Sequence, residues 1–204
     1  MSLEPAERSP GVASPDRSDG LAPAERERRG PVLLAIAREA LEIDPRERPF
    51  AREWDEAWLR DAAATFVTLR DAGELRGCIG TVDARRALGD DVAWNAHAAA
   101  YRDPRFPPVT SNERDRLEVE VSVLTPRVAL EANSEAELLR ALRPGVDGLV
   151  LEYEGRSATF LPQVWESLPD PIDFLAELRR KAGLPARFWH PSLVASRYRV
   201  EKYR

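Results

Sequence analysis

Apolar residues along this chain follow two periods, one helical and one extended, and the switches between them mark its elements. In PVLLAIAREALEI, Leu33, Leu34, Ala37 and Leu41 recur at helical spacing, which predicts an amphipathic helix beginning near Gly30-Pro31 and ended by Pro45. RERPFAREWDEAWLRDA has no clear period. TFVTL is β-branched and aromatic, RDAGE supplies a turn and LRGCIGTV returns, so the three predict a hairpin. LGDDVAWNAHAAAY predicts a helix packed through Ala, Val and Trp. RDPRFPPV excludes regular structure, because its three prolines remove donors and fix dihedrals. LEVEVSVLT alternates cleanly, with Leu117, Val119, Val121 and Val123 on one face and Glu118, Glu120 and Ser122 on the other.

The second half repeats the theme. SEAELLRAL opens on a capping box, Ser134 with Glu137, and predicts a helix. GLVLEYEGRSATFL predicts a hairpin turning at Glu154-Gly155, and Pro162 starts the short helix PQVWESL. DPIDFLAELRRKAGLP carries both helix ends: Asp170 as N-cap, Pro171 in the first turn and Gly183 as terminator. SLVASRYRVEKY predicts one closing strand. A hairpin followed by a helix occurs twice, from Thr65 and from Gly148. Hairpins mixed with helices, without strict strand–helix alternation, predict an α+β fold of two subdomains, with antiparallel or mixed sheets flanked by helices.

Composition narrows the function classes. Residues 1–28 are rich in Pro, Ser, Gly, Glu and Arg without apolar period, and predict a disordered tail ahead of a domain over 29–204. A net charge of -5 excludes a broad basic footprint for nucleic acid. No apolar run is long enough to span a membrane, and no basic start leads into an apolar signal segment. One cysteine forms no internal disulfide, which suits a reducing cytoplasm. With two histidines it also cannot build a Cys-rich zinc site or an iron–sulfur cluster. No cofactor fingerprint or phosphate loop is present. The bias of arginine over lysine, with Lys181 and Lys202 the only lysines, fits either anion recognition or a GC-rich genome.

The candidate chemistry centres on LRGCIG, Leu75 to Gly80. Alternation places Leu75, Gly77 and Ile79 on a core face and Arg76, Cys78 and Gly80 on the other. A guanidinium beside a thiol favours the thiolate, so Arg76 and Cys78 form one candidate pair. Against this stands the frequent burial of free cysteine as a small apolar residue. Gly77 and Gly80 leave room for a ligand or another backbone to approach. In DPRF, Asp103 and Arg105 flank a rigid proline and suit either a substrate contact or a structural ion pair. Glu120, if covered, is a candidate proton carrier needing a cation such as Arg76 or Arg105. Ser122 shares its face. Gln163 stands at a strand-to-helix junction open to an anion. Trp54, Trp58 and Trp94 are read as core residues, and His97 and His190 receive no role.

FVTLRDAGELRGCIG, DPRFPPV, LEVEVSVL, GLVLEYEGRSATFLPQV and KAGLP, in that order, resemble the AMMECR-one domain family, also called AmmeMemoRadiSam system protein A. The resemblance runs from about Gly30 to the C-terminus. It implies an α+β protein of two subdomains on antiparallel sheets, located inside the cell. It also implies association with a Memo-type protein and a radical SAM protein in a modification pathway, without a settled reaction. The family pattern keeps the Glu and Ser of LEVEVSVL, which favours a functional reading of Glu120 and Ser122. Two classes of function stay open. In one, an enzyme uses Cys78, Arg76 and Glu120 as catalytic groups, with Gly77, Gly80, Asp103, Arg105, Ser122 and Gln163 holding the substrate. In the other, a non-catalytic module binds a small molecule or peptide in service of partner proteins.

Overall fold

The first helix starts earlier than the pattern predicts. In the computed structural model, which describes residues 21–47 and 53–204, α1 runs Pro23–Leu41. Pro23 fixes a helical φ at the first turn, where no donor is needed, and Glu25 stands in that turn. Pro31 lies inside the helix and removes one hydrogen bond without ending it. The predicted tail therefore gives way to helix at Pro23. Its first twenty residues, and 48–52 of the aperiodic stretch, lie outside the described residues.

Strands β1 (Ala62–Asp71) and β2 (Glu74–Gly80) form the first hairpin. Ala72 and Gly73 both have positive φ, +50° and +83°, the twist a two-residue turn needs to bring the strands back together. β3 (Arg86–Ala87) pairs with the start of β1 and leads into α2 (Leu88–Tyr101). A one-turn helix α3 (Ser111–Arg114) precedes β4 (Glu118–Leu124). The second half supplies β5 (Val128–Ala129), α4 (Glu135–Ala141), β6 (Gly148–Tyr153), β7 (Arg156–Phe160), a 3-10 turn (Pro162–Glu166) and α5 (Pro171–Lys181). The chain closes with β8 (Val194–Tyr198) and β9 (Val200–Tyr203). The α5 caps fall as predicted: Asp170 accepts the Ile172 N–H at 2.7 Å and Gly183 takes φ +74°.

Among the described residues two sheets result, and every strand pair is antiparallel. The first has the order β2-β1-β4-β9 with β3 beside β1; the second has the order β5-β8-β6-β7. On one face of the first sheet, hereafter the inner face, Val67, Leu69, Val119 and Val121 pack with Leu33, Ala37 and Leu41 of α1 and Val92, Ala96 and Ala99 of α2. Fully burying one such leucine contributes about 2–3 kcal/mol, so this layer dominates the stability of the first unit. The second core joins Leu149 and Leu151 to Leu138 of α4 and Phe174, Leu175 and Leu178 of α5.

The predicted single closing strand is two strands in two sheets. Arg199 breaks it, because its N–H and carbonyl turn aside to the Thr125 hydroxyl and N–H, both at 2.9 Å. Thr125 and Arg199 thus fasten the two points where the chain crosses between the units. A small cluster of Ala64, Leu124, Val150 and Tyr198 packs beside the crossing. Of the tryptophans expected in the core, Trp54 is buried there. Trp58 and Trp94 are half exposed and carry guanidinium groups, Arg29 over Trp58 at 4.6 Å and Arg86 over Trp94 at 4.8 Å. Among the described residues, no helix is long and apolar enough to cross a membrane.

Ala72 occupies a conformation that its Cβ disfavours and asparagine tolerates. Ala72→Asn is expected to raise unfolding stability by about 0.5–1 kcal/mol, seen in urea as a higher midpoint at unchanged slope.

Candidate functional site

β2 is an edge strand, so its outward N–H and C=O groups need partners other than a strand. The DPRFPPV segment that follows α2 supplies them with side chains. Asp103, 3% exposed, accepts the Cys78 N–H at 2.8 Å. Its carboxylate also accepts from the Arg105 N–H, Nε and Nη2 at 3.1, 2.9 and 2.7 Å. Arg105 Nη2 in turn donates to the Cys78 carbonyl at 3.2 Å. Both main-chain groups of Cys78 are thus gripped by one carboxylate–guanidinium fork. Arg105 holds the Asp103 carboxyl far below the usual carboxylate range, against the effect of burial, and the Cys78 and Arg105 N–H groups assist. Asp103, and to a smaller degree the Cys78 side chain, pushes the Arg105 guanidinium up.

Arg76 has a different task from the one alternation suggests. The register jumps from Leu69–Gly77 to Arg70–Leu75, leaving Arg76 as the unpaired residue of a β-bulge. Its Nε donates to Glu113 at 2.9 Å, and its Nη atoms donate to the Pro107 and Pro108 carbonyls at 2.9 and 3.4 Å. Glu113 also accepts from the Thr110 N–H and hydroxyl at the start of α3. Arg76, then Thr110, lowers the Glu113 carboxyl to about 2. Arg76 therefore fastens the proline loop to the strand, and the arginine that bonds Cys78 is Arg105, through the main-chain carbonyl. The bulge also shifts Leu75 off the core face: it pairs with exposed Arg70 and is itself 36% exposed.

The glycines admit close neighbours, and those neighbours are the protein's own. A Cβ on Gly77 would stand 2.1 Å from the Ala99 carbonyl oxygen of α2, on the inner face. A Cβ on Gly80 would meet the Phe66 ring at 2.2 Å. The space a side chain would take is filled at each glycine, at Gly77 by helix packing and at Gly80 by an aromatic ring.

On the outer face of the first sheet, Cys78, Thr68 and Glu120 form one cross-strand row. The Thr68 hydroxyl approaches Cys78 Sγ at 3.4 Å. Glu120 pairs with Arg204 and stands 3.8 Å from Lys202 Nζ, so its cations come from the C-terminal strand and not from Arg76 or Arg105. The next row is Gly80, Phe66, Ser122 and Lys202, with Ser122 buried. Beyond it, Ala64, Leu124 and Val200 are covered by Val150, Leu161 and Tyr198 of the second unit. The second unit shields one end of this face and leaves the Cys78 row part exposed. Gln163, exposed on the 3-10 turn, lines a neighbouring cleft of about 530 Å³ with Arg199 and Lys202. Lys202 is common to this cleft and to the surroundings of Glu120.

Neither histidine joins this constellation. His97 is buried in α2, where its Nε2 meets the Asp44 carbonyl at 3.2 Å and burial pushes its pKa down. His190 packs on Tyr153 in the second unit. The residues that sequence reasoning passes over are Thr68, Glu113, Lys202 and Arg204. Thr110-x-x-Glu113 is a legible capping box. The other three enter only through strand pairing.

Two outcomes follow from this geometry. Gly77→Ala drives a Cβ into backbone and is expected to cost about 3 kcal/mol or more in urea unfolding. Asp103→Asn is expected to be less stable at neutral pH than the native chain. A depressed carboxyl stabilises above its unfolded pKa near 3.9, and this contribution fades as pH falls toward its lower folded pKa. The stability gap between the two chains should therefore hold at pH 5–8 and close progressively below about pH 4 in acid denaturation.

Comparisons with known proteins fit the fold and the motifs. A protein of Methanothermobacter thermautotrophicus is 39% identical over 188 residues, covering 88% of this chain and 95% of that one. A protein of Thermococcus gammatolerans is 37% identical over 84% of this chain and 88% of its own length. Among solved structures, the uncharacterized protein PH0010 of Pyrococcus horikoshii matches with a TM-score of 0.72 at 35% identity, over 86% of this chain and 90% of that one. The AMMECR1 family model matches residues 34–203, and the chain belongs to the AMMECR1 family.

Proposed function

We propose that this protein is a small-molecule binding module, with its ligand lying across the outer sheet face against Cys78, Thr68 and Glu120. The observation that carries the reading is the row itself. A thiol, a hydroxyl and a carboxylate stand side by side on a part-exposed face, next to rows that the second unit covers. The partners a catalytic thiol needs are engaged elsewhere. Arg76 is committed to Glu113 and two carbonyls. Glu120 lies two strands from Cys78, about 10 Å away, beyond proton-transfer reach. It is also bound to Arg204. In this reading Cys78 contributes size and a soft polar contact. The module would deliver its ligand to Memo-type and radical SAM partners, the association that the family resemblance implies.

One observation favours the enzyme reading: Arg105 Nη2 donates to the Cys78 carbonyl at 3.2 Å, so a cation stands beside this residue. A single experiment separates the two. The folded chain is exposed to the small-molecule fraction of a cell extract and examined by native mass spectrometry. Binding is expected to persist in Cys78→Ser and to vanish in Thr68→Trp, which fills the middle of the row. A covalent adduct on Cys78, lost in Cys78→Ser, would establish the nucleophile instead. Retention unaffected by Thr68→Trp would remove the site from consideration. Co-purification that recovers neither partner type would sink the proposed association.

A further inference from the structure

At the other end of the first sheet lies a cleft of about 550 Å³ that shares no residue with the Cys78 row. Its volume falls in the range of small-molecule cavities. Leu88 and Val123 give it apolar walls, and Trp58 and Tyr198 add aromatic ones. Its charges are mixed: three guanidinium groups, Arg29, Arg85 and Arg127, line it together with three carboxylates, Asp61, Asp83 and Glu201. Arg85 and Arg127 both turn to Asp83, at 3.1 and 2.6 Å, and Arg127 also donates to the Val82 carbonyl. Glu201 and Arg29 differ, because each has bonding capacity that the protein leaves unfilled.

Glu201 lies on the inner face of β9 and is 8% exposed. Both of its donors are neutral: the Tyr203 hydroxyl, at 3.0 Å, and the Leu21 N–H. Among the described residues no guanidinium or ammonium group stands within 4 Å of it. A carboxylate so far from water calls for a cation. Arg29 shows the opposite need. Its side chain is 13% exposed, Nη2 bonds Glu25 and the guanidinium lies 4.6 Å over Trp58. Its Nε is buried without an acceptor among the described residues, and a buried guanidinium donor calls for one. Burial, then Glu201, pushes the Tyr203 hydroxyl up and Arg29 pulls it down, so both charges stand within reach of one phenol.

A single ligand meets both needs if it carries both charges. We propose that the cleft is a second binding site, for a small zwitterion of the α-amino-acid type with an apolar or aromatic side chain. Its ammonium group bonds Glu201, its carboxylate bonds the Arg29 guanidinium, and its side chain lies against Trp58, Leu88 and Val123. The balance of charge in the walls disfavours a polyanion, and the apolar walls disfavour an inorganic ion.

The test is titration calorimetry of the full chain with L-phenylalanine, L-leucine and two analogues of phenylalanine. Phenethylamine lacks the carboxylate, and 3-phenylpropanoate lacks the ammonium group. Phenylalanine is expected to bind about tenfold or more tighter than either analogue. Glu201→Gln should erase its advantage over 3-phenylpropanoate, and Arg29→Gln its advantage over phenethylamine. A purely structural role for these residues gives no such matched pattern. Ala84→Trp fills the cleft from its exposed rim, leaves both charges in place and should abolish binding. The proposal is overturned if neither amino acid binds, if the analogues match phenylalanine, or if binding survives Ala84→Trp. Equal weakening of all the compounds by each charge variant would overturn it too.

Discussion

The main chain of Cys78 sits at an open sheet edge, and the structure around it is organised by the need to satisfy that edge. A single carboxylate, Asp103, takes the N–H, and the arginine it holds, Arg105, returns a donor to the carbonyl. A neutral side chain could not do both, because the fork needs a planar five-donor group and an anion to orient it. Arg76 and Glu113 repeat the device one turn of loop away, fixing the proline segment by its carbonyls. Prolines suit this role: they cannot pair as a strand, so the edge is closed without inviting a further one. Two motifs distant in sequence, LRGCIG and DPRFPPV, are therefore halves of one structural clasp.

The clasp fixes Cys78 from the edge side, while the rest of its surroundings come from the crossing between units. Thr125 and Arg199 bond where the chain leaves the first unit and where it returns. The return makes β9 the far edge of the first sheet and delivers Lys202 and Arg204 to Glu120. The same crossing brings Tyr198 and Val150 over one end of the outer face. Covering half of a sheet face and leaving half open is what sets the Cys78 row apart as a candidate site. Were the face wholly solvated, Glu120 would be one surface carboxylate among many.

Much of this was legible beforehand. Period-two alternation in LEVEVSVL separated valines from Glu120 and Ser122 correctly, because burial on one face dictates that pattern. Caps at Ser134, Asp170 and Gly183, and the turn at Gly155, follow from local backbone chemistry and fell where expected. The same alternation failed at Arg76, since a bulge adds a residue without any local signature and changes the face of everything before it. It failed again at Arg199, where an unbroken β-like stretch changes sheets.

Sequence alone determined most of the helices and hairpins, the α+β class and the family, all of which depend on interactions between near neighbours or on a linear string of motifs. Only tertiary structure decided what LRGCIG touches. Which guanidinium meets the Cys78 main chain, which cation meets Glu120 and what fills the space at Gly77 and Gly80 are each set by residues more than ten positions away. Such pairings arise from packing two sheets and their helices into one volume, and no local pattern encodes them.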